Sequence, residues 1–190
     1  RRNQGETQSM ENRDERLIGV VGAGAWGAAL AQCAAQAGHP VVLWGRDPAR
    51  MAAMAESRRH PRLEGMRLDR RVECVADRSA LAPAAAVVLA VPAQTLRPVL
   101  AALAGVLRPD APAVIAAKGI ERESAMTMPE VVSDLDPRRP VAVLSGPTFA
   151  GELARGLPAA ATLACRDIAL AEELAAVFHG VNLRLYASDD

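Results

Sequence analysis

Three glycines with a fixed spacing are the residues of this sequence best suited to bind a ligand. Gly22, Gly24 and Gly27 form the pattern G-x-G-x-x-G between a short apolar run and an alanine-rich stretch. In that setting the first glycine permits a tight turn, the second lets a phosphate approach the backbone, and the third lets a helix pack against a strand. The N–H groups and the dipole at the start of such a helix stabilise an anion. The pattern therefore predicts a dinucleotide pyrophosphate site; the alternative is that the glycines only shape a strand-to-helix turn.

The residues after the second apolar run are the ones expected to contact the ribose of such a ligand. An acid that bonds the ribose hydroxyls usually stands about 20 residues after the glycine loop, but Trp44 is near that place. Asp47 could substitute for it, although Asp47 followed by Pro48 is better explained as a helix N-cap. Arg46 could pair with a 2′-phosphate, lie over the adenine, or simply belong to a solvated loop. The expected cofactor is therefore NAD or NADP, without strict selectivity for NAD.

Polar side chains later in the chain could hold a substrate. Lys118 follows a buried apolar run at its carboxyl end, where ligands of open α/β sheets bind, and an ammonium there can hold a phosphate or polarise a carbonyl. The alternative is a lysine that leaves a strand into solvent. Ser145 and Thr148 lie at the start of a predicted helix with Glu152 in an early turn, and helix capping alone would explain them.

The elements that position these residues are predicted from hydrophobic patterning. Apolar runs alternate with alanine-rich helical stretches from Leu17 onward, which is typical of parallel strands joined by crossover helices. We therefore predict the α/β class, with a doubly wound, mostly parallel Rossmann-type sheet. The predicted strands are residues 17–21, 41–44, 72–75, 86–91, 114–117, 141–144, 160–163 and 183–186. The predicted helices include residues 26–37, one through Met51 and Met54, 95–103 with Pro98 in its first turn, and 168–178.

Composition and charge argue against several classes of partner. The 190 residues carry 22 Lys and Arg against 22 Asp and Glu, so neither nucleic acid nor an anionic membrane is expected, and a small or neutral ligand is favoured. The apolar stretches, such as residues 84–91, are too short to span a bilayer, and the N-terminus lacks an apolar signal-peptide core, so a cytoplasmic protein is expected. Cys33, Cys74 and Cys165 are odd in number and far apart, so we expect reduced packing residues and no metal site.

The N-terminal residues and the histidines suggest no further site. Residues 1–16 are nearly all polar and lack a periodic apolar face, so a disordered tail is predicted there, followed by one NAD(P)-binding domain over residues 17–190. His39, His60 and His179 have neither metal-ligand spacing nor an evident carboxylate partner.

Five segments resemble one enzyme family when they are taken in order. They are GVVGAGAWGAALA (19–31), GHPVVLWGRD (38–47), AAKGIE (116–121), LSGPTFAGELARGLPAA (144–160) and LRLYASDD (183–190). Together they resemble the bacterial-type NAD(P)-dependent glycerol-3-phosphate dehydrogenases over nearly everything after the tail. The LSGPTFA-type segment is much more specific than the glycine loop, which many dehydrogenases share.

The resemblance implies a reaction and a set of site residues. The reaction is the reversible reduction of dihydroxyacetone phosphate to sn-glycerol 3-phosphate, which supplies phospholipid biosynthesis. With the glycine loop included, the implied cofactor-binding residues are Gly22, Gly24, Ala25, Trp26, Gly27, Arg46, Lys118 and Ala150. The implied substrate-binding residues are Lys118, Gly146 and Thr148.

The sequence departs from the family pattern in two places. HPRLEGMRLD (60–69) lacks the tyrosine of the family's corresponding stretch and has Glu64 where proline is common, so the loop on the adenine side is expected to differ. In the family, LYASDD leads into a C-terminal helical domain whose Ala-Leu-Lys-Asn-type motif carries the proton-donating lysine. The sequence ends at Asp190, before that motif. Lys118 is therefore expected to support catalysis, and this chain alone is expected to be poorly active.

Two other functions are left open by the residues. One is a different dehydrogenase of the same broad group, acting on 3-hydroxy acids or ketopantoate. The other is a stand-alone nucleotide-binding module with a sensing or scaffolding role. The oligomeric state is not predicted.

Overall fold

A single sheet organises the computed structural model, which describes residues 15–180 and 182–190. Within those residues eight strands run in the order β3-β2-β1-β4-β5-β6-β7-β8. They are β1 (Ile18–Val21), β2 (Val41–Trp44), β3 (Val72–Val75), β4 (Ala86–Leu89), β5 (Ala113–Ile115), β6 (Val141–Ser145), β7 (Ala159–Ala164) and β8 (Leu183–Ser188). Strands β1 to β6 pair in parallel, whereas β7 is antiparallel to β6 and parallel to β8. The predicted mostly parallel sheet is confirmed.

Burial along the strands follows their place in the sheet. The four residues of β1 and of β4, at the centre, are all buried, as expected where helices cover both faces. Strand β3, at one edge, alternates between buried Val72, exposed Glu73 and buried Cys74, because successive side chains of a strand point to opposite faces. The carboxyl ends of the central strands are therefore held on a rigid, fully packed base.

Helices cover both faces of the sheet. They are α1 (Ala25–Gln36), α2 (Pro48–Ser57), α3 (Ala93–Ala102), α4 (Met128–Leu135), α5 (Ala150–Ala154) and α6 (Ile168–Val177). Apolar residues of α1, α2, α5 and α6 belong to one core cluster, and those of α3 and α4 belong to a second. The two clusters lie on opposite faces, so the fold is the doubly wound arrangement predicted from the sequence.

Helix α3 begins earlier than the patterning predicts. It starts at Ala93, with Pro92 as the N-cap, so Pro98 lies inside the helix and not in its first turn. Proline cannot donate the backbone hydrogen bond that Gln94 would otherwise accept. Gln94 and Pro98 are both exposed, so water can reach this side of the helix and limit the cost.

Two short elements were not predicted. Helix α4 and a 3₁₀ turn at Arg78–Leu81 follow loops in which the apolar pattern is too short to show a period. Helix α4 nevertheless carries a sequence signal. Thr127 and Glu130 form a capping box in which the Glu130 carboxylate accepts hydrogen bonds from the Thr127 backbone N–H and hydroxyl, each at 2.7 Å.

The cysteines, the described helices and the N-terminal residues bear on the other sequence predictions. Cys33, Cys74 and Cys165 are free and buried, and burial raises the pKa of the Cys33 thiol to about 12. These properties suit packing residues. None of the described helices is long and apolar enough to cross a membrane. The predicted tail falls, for residues 1–14, outside the described part of the chain.

Candidate cofactor and substrate site

The three glycines of the loop after β1 are required for different reasons. Gly22 has a φ of +113°, and a Cβ there would lie 2.8 Å from the Ala90 carbonyl oxygen. A Cβ on Gly27 would lie 1.9 Å from the Gly22 oxygen. A Cβ on Gly24 would meet no atom of the described residues within 4 Å. Gly22 and Gly27 are thus fixed by the protein's own packing, whereas Gly24 faces open space.

Helix α1 presents free donors to that open space. Gly24 is its N-cap in an extended conformation, with no side-chain cap, and the backbone N–H groups of Ala25 and Trp26 have no hydrogen-bond partner among the described residues. The indole Nε1 of Trp26 is buried and also unpartnered there. By contrast, Asp47 caps α2 by accepting from the Arg50 N–H at 3.2 Å. An uncapped helix N-terminus beside a Cβ-free backbone fits the pyrophosphate of a dinucleotide.

A cleft of about 420 Å³ extends from the glycine loop along the ends of β1, β2 and β4. Trp44 and Arg46 line its wall, and Trp44 Nε1 donates to the Ala76 carbonyl oxygen at 2.9 Å. The N-cap interpretation of Asp47 is confirmed, and Trp44 is the residue that ends β2. A second concavity, of about 630 Å³, lies beside β6 and β7 and away from the glycine loop.

Arg50 and His60 form a contact that the sequence patterns do not reveal. Arg50 Nη2 lies 2.9 Å from the Ala23 carbonyl oxygen and 3.0 Å from His60 Nε2. His60 Nδ1 accepts from the Arg62 N–H at 3.2 Å, and His60 Nε2 lies 3.3 Å from the Ala23 oxygen. Burial lowers the pKa of His60, the Ala23 hydrogen bond partly opposes this, and Arg50 and Arg62 lower it further.

Lys118 joins the ends of two neighbouring strands. It follows β5, its side chain is exposed, and its Nζ donates to the Gly146 carbonyl oxygen at 2.9 Å beyond β6. A Cβ on Gly146 would lie 2.8 Å from the Ala161 Cβ of the adjacent β7. The close approach of β7 therefore explains why glycine occupies this position, independently of any substrate.

Helix α3 holds the loop that carries Lys118. Gln94 Nε2 donates to the Ile120 carbonyl oxygen at 2.8 Å, and Gln94 Oε1 accepts from the Arg122 N–H at 3.1 Å. Arg97 makes a bidentate pair with Glu121, from Nε to Oε1 and from Nη2 to Oε2, each at 2.9 Å. This arginine, followed by the Ser124 hydroxyl, holds the pKa of Glu121 below its usual range. No sequence pattern predicted these contacts, because they join residues 24 to 28 positions apart.

The helix after β6 begins later than predicted, so Ser145 and Thr148 do not lie at its start. Ser145 ends β6, and α5 begins at Ala150 with Phe149 as an N-cap that makes no side-chain hydrogen bond. The capping explanation for Ser145 and Thr148 is therefore wrong. Thr148 is buried at 8 % exposure, and Glu152 does lie in the first turn of α5.

The predicted site residues that directly follow a strand lie at the carboxyl edge of the parallel strands. Those of the glycine loop, with Arg46, surround the cleft at β1 and β2, while Lys118 and Gly146 meet at β5 and β6. Helix α5 packs on α1, which places Ala150 on the same face of the sheet as the glycine loop. Their roles in binding stay predictions.

Several proteins of known name resemble this chain in sequence. A family model described as the N-terminus of NAD-dependent glycerol-3-phosphate dehydrogenase matches residues 17–171. Glycerol-3-phosphate dehydrogenase [NAD(P)+] of Methylobacterium radiotolerans is 49 % identical over 93 % of this chain and 54 % of its own length. The enzyme so named from Azorhizobium caulinodans is 51 % identical over 91 % and 53 %.

A solved structure has a similar fold. The crystal structure of glycerol-3-phosphate dehydrogenase from Coxiella burnetii matches with a TM-score of 0.87 and 27 % identity, over 93 % of this chain and 55 % of that one. The present chain spans about half the length of the curated relatives it matches.

Proposed function

The chain belongs to the family of the NAD-dependent glycerol-3-phosphate dehydrogenase N-terminus, and from that premise we propose that it is the cofactor-binding half of such an enzyme. The complete enzyme would reversibly reduce dihydroxyacetone phosphate to sn-glycerol 3-phosphate with NAD or NADP, and so supply phospholipid precursors. The observation that carries the proposal is the uncapped N-terminus of α1 over Gly24, at the sheet edge where Lys118 meets Gly146.

The glycine loop and α1 bind and orient the cofactor in this proposal. The N–H groups of Ala25 and Trp26 would donate to the pyrophosphate, which can approach because Gly24 has no Cβ. Arg46 would contact the adenosine end. When bound, the reduced nicotinamide supplies the hydride.

Lys118 and the segment after β6 hold the substrate in this proposal. The Lys118 ammonium is anchored on the Gly146 carbonyl oxygen, so its remaining two N–H donors can bind the substrate phosphate or polarise the carbonyl. Thr148, two residues after Gly146, would add a hydroxyl. The family's proton-donating lysine belongs to a motif that these 190 residues do not contain, so Lys118 is assigned to binding.

A chimera provides the test of the whole proposal. The chain is joined to the second half of the Azorhizobium caulinodans relative, and oxidation of NADH or NADPH is followed with dihydroxyacetone phosphate. We expect turnover by the chimera and at least about 10²-fold less by the 190-residue chain, because a positioned general acid contributes about 10² to 10⁴ in rate. Cofactor binding by the short chain, measured by calorimetry, should be retained.

Controls separate the proposal from its alternatives. Gly24→Val in the chimera should abolish cofactor binding and turnover together, because its side chain would fill the space over the loop. Turnover of a 3-hydroxy acid or ketopantoate in place of dihydroxyacetone phosphate would point to a different dehydrogenase. Cofactor binding without turnover of any of the three would favour a nucleotide-binding module.

A further inference from the structure

We propose that an arginine-rich surface beside β3 docks the chain on membranes that contain anionic phospholipids. This surface, the basic edge patch, consists of Arg59, Arg67, Arg70 and Arg71. All four residues are exposed, and none of them lines the cleft beside the glycine loop. The reason for such docking rests on the proposed function, whose product is a phospholipid precursor, but the binding itself does not require that activity.

The charges of the chain are separated between the two edges of the sheet. Residues 58–71, between α2 and the edge strand β3, contain six arginines and two acids, Glu64 and Asp69. Residues 167–190, which include α6 and the other edge strand β8, contain five acids and one arginine, Arg184. Eight strands at the usual spacing put the edges on the order of 30 Å apart, well beyond the Debye length of about 10 Å at about 0.1 M salt. The zero net charge of the whole sequence therefore conceals a basic edge and an acidic edge.

Backbone pairing within the basic edge patch brings like charges together. Arg59 and Arg67 pair in an isolated antiparallel bridge, an arrangement that is unfavourable for like charges. Arg58 fixes this pairing, because its guanidinium donates to the carbonyl oxygens of Leu68 at 3.3 Å and Val72 at 2.8 Å. The fold thus holds two positive side chains next to each other, at an energetic cost that an anionic ligand would offset.

The guanidinium groups of the basic edge patch have donors available for such a ligand. Those of Arg59, Arg67 and Arg70 make no hydrogen bond or ion pair with any described residue. The Arg71 guanidinium has a single contact of 3.6 Å with the Asp69 carboxylate. Guanidinium groups bind phosphate through charge-assisted hydrogen bonds, and a cluster of about four or more basic residues is sufficient to bind an anionic lipid surface.

The chemistry of the patch and of the proposed product favours a membrane over other anionic partners. Residues 58–71 contain no aromatic ring other than that of the buried His60, so none can stack on the bases of a single-stranded nucleic acid. A second copy would have to bind head to tail, acidic edge on basic edge, and such contacts extend into rings or filaments. By contrast, acylation of glycerol 3-phosphate yields a lipid that stays in a bilayer. A membrane is therefore the surface at which the product is used.

Vesicle co-sedimentation of the 190-residue chain tests the docking surface. The vesicles contain equal parts of phosphatidylglycerol and phosphatidylcholine, or phosphatidylcholine alone. We expect binding to the anionic vesicles only, and its loss when salt is raised from about 0.05 to about 0.5 M, because exposed charges are screened. Arg59→Gln combined with Arg67→Gln should weaken binding by about 25-fold, since one basic residue near an anionic surface contributes about fivefold.

A matched double variant separates this surface from general charge. Arg138→Gln combined with Arg166→Gln removes the same two charges from exposed positions after α4 and β7. Because these positions lie far from the basic edge patch, vesicle affinity should change by less than about threefold. Both double variants should keep the circular-dichroism spectrum and the urea midpoint of the unchanged chain, which shows that they are folded.

The other possible results overturn the docking surface. No binding to anionic vesicles at low salt, or equal losses in the two double variants, would show that these arginines do not hold the chain on a membrane. Tighter binding to duplex DNA at the same phosphate concentration would identify nucleic acid as the ligand. Self-association without vesicles that Arg59→Gln with Arg67→Gln abolishes would identify a second copy. The proposed function fails separately, through absence of turnover by the chimera, and vesicle binding that persists in that case would leave the docking surface standing.

Discussion

The nucleotide side of the site, at the ends of β1 and β2, differs in construction from the substrate side, at the ends of β5 and β6. On the nucleotide side Gly22 and Gly27 are dictated by backbone atoms less than 3 Å from their missing Cβ positions. On the substrate side Ile120 and Phe149 stand exposed at 57 % and 67 % next to Lys118 and Thr148. The turn of the nucleotide side is fixed by close approaches of the backbone, whereas the position of Lys118 depends on side-chain hydrogen bonds to Gly146 and from Gln94 and Arg97 to its loop. Damage to the two should therefore have different consequences.

The largest effect should come from Gly27→Ala, on the nucleotide side. Its Cβ would lie 1.9 Å from the Gly22 oxygen, and neither backbone can move without separating α1 from β1. Overpacking of this kind costs about 3 kcal/mol or more of unfolding free energy, which urea denaturation measures. Gly24→Ala is the matched control and should cost only about 0.5 kcal/mol, the scale of an N-cap change from glycine. Similar losses for both variants would contradict the distinction between the two glycines.

Lys118→Met should have the next largest effect and should leave the nucleotide side intact. Loss of an ammonium that binds the reacting oxygen or phosphate lowers turnover by about 10² to 10³, measured in the chimera with dihydroxyacetone phosphate. The affinity for NADPH should change far less. A drop in cofactor affinity as large as the drop in turnover would place Lys118 mainly on the cofactor, and would weaken the separation of the two sides.

Arg97→Met should affect the substrate side only by changing the position of the loop that carries Lys118. Without the bidentate pair to Glu121, the loop that carries Lys118 loses a tether to α3. We expect turnover to fall by about tenfold, less than the 10² that a displacement of 1 Å can cost, with cofactor affinity unchanged. Gln94→Met removes the neighbouring tether and should act in the same direction. Unchanged turnover in both variants would show that the loop is held by other contacts.

The smallest expected effect is on the pH dependence of the unfolding free energy, through His60 on the nucleotide side. The folded chain lowers the pKa of His60 below its usual 6.5, chiefly through burial, so the unfolded chain binds the proton more readily. Unfolding free energy should therefore decrease as the pH falls from about 6.5 through the lowered pKa. His60→Gln should flatten that dependence between pH 6.5 and 5, a range above the usual pKa of carboxylates. A dependence that persists in His60→Gln would assign the effect to another group.

Local rules predicted the nucleotide side well because each rule acts within a few residues. The glycine spacing placed the turn between β1 and α1, and Asp47 before Pro48 placed the start of α2. The direction of β7 could not be predicted, since alternation within a strand carries no information about whether its neighbour runs parallel. The contact between Arg50 and His60 was also inaccessible, because neither residue breaks a local pattern. The helix start assigned to Ser145 and Thr148 was wrong for a related reason, as residues favourable for capping also occur in loops.

The surroundings of the tryptophans have a spectroscopic consequence. The 190 residues contain two of them, and both belong to the nucleotide side: Trp44 lines the cleft and Trp26 lies in the first turn of α1. Reduced nicotinamide absorbs light where indoles emit, so a bound cofactor should quench this intrinsic emission by energy transfer. Phe149 and Ile120, on the substrate side, contribute no such signal. The chain therefore carries an optical reporter that responds to occupancy of the nucleotide side and needs no added label.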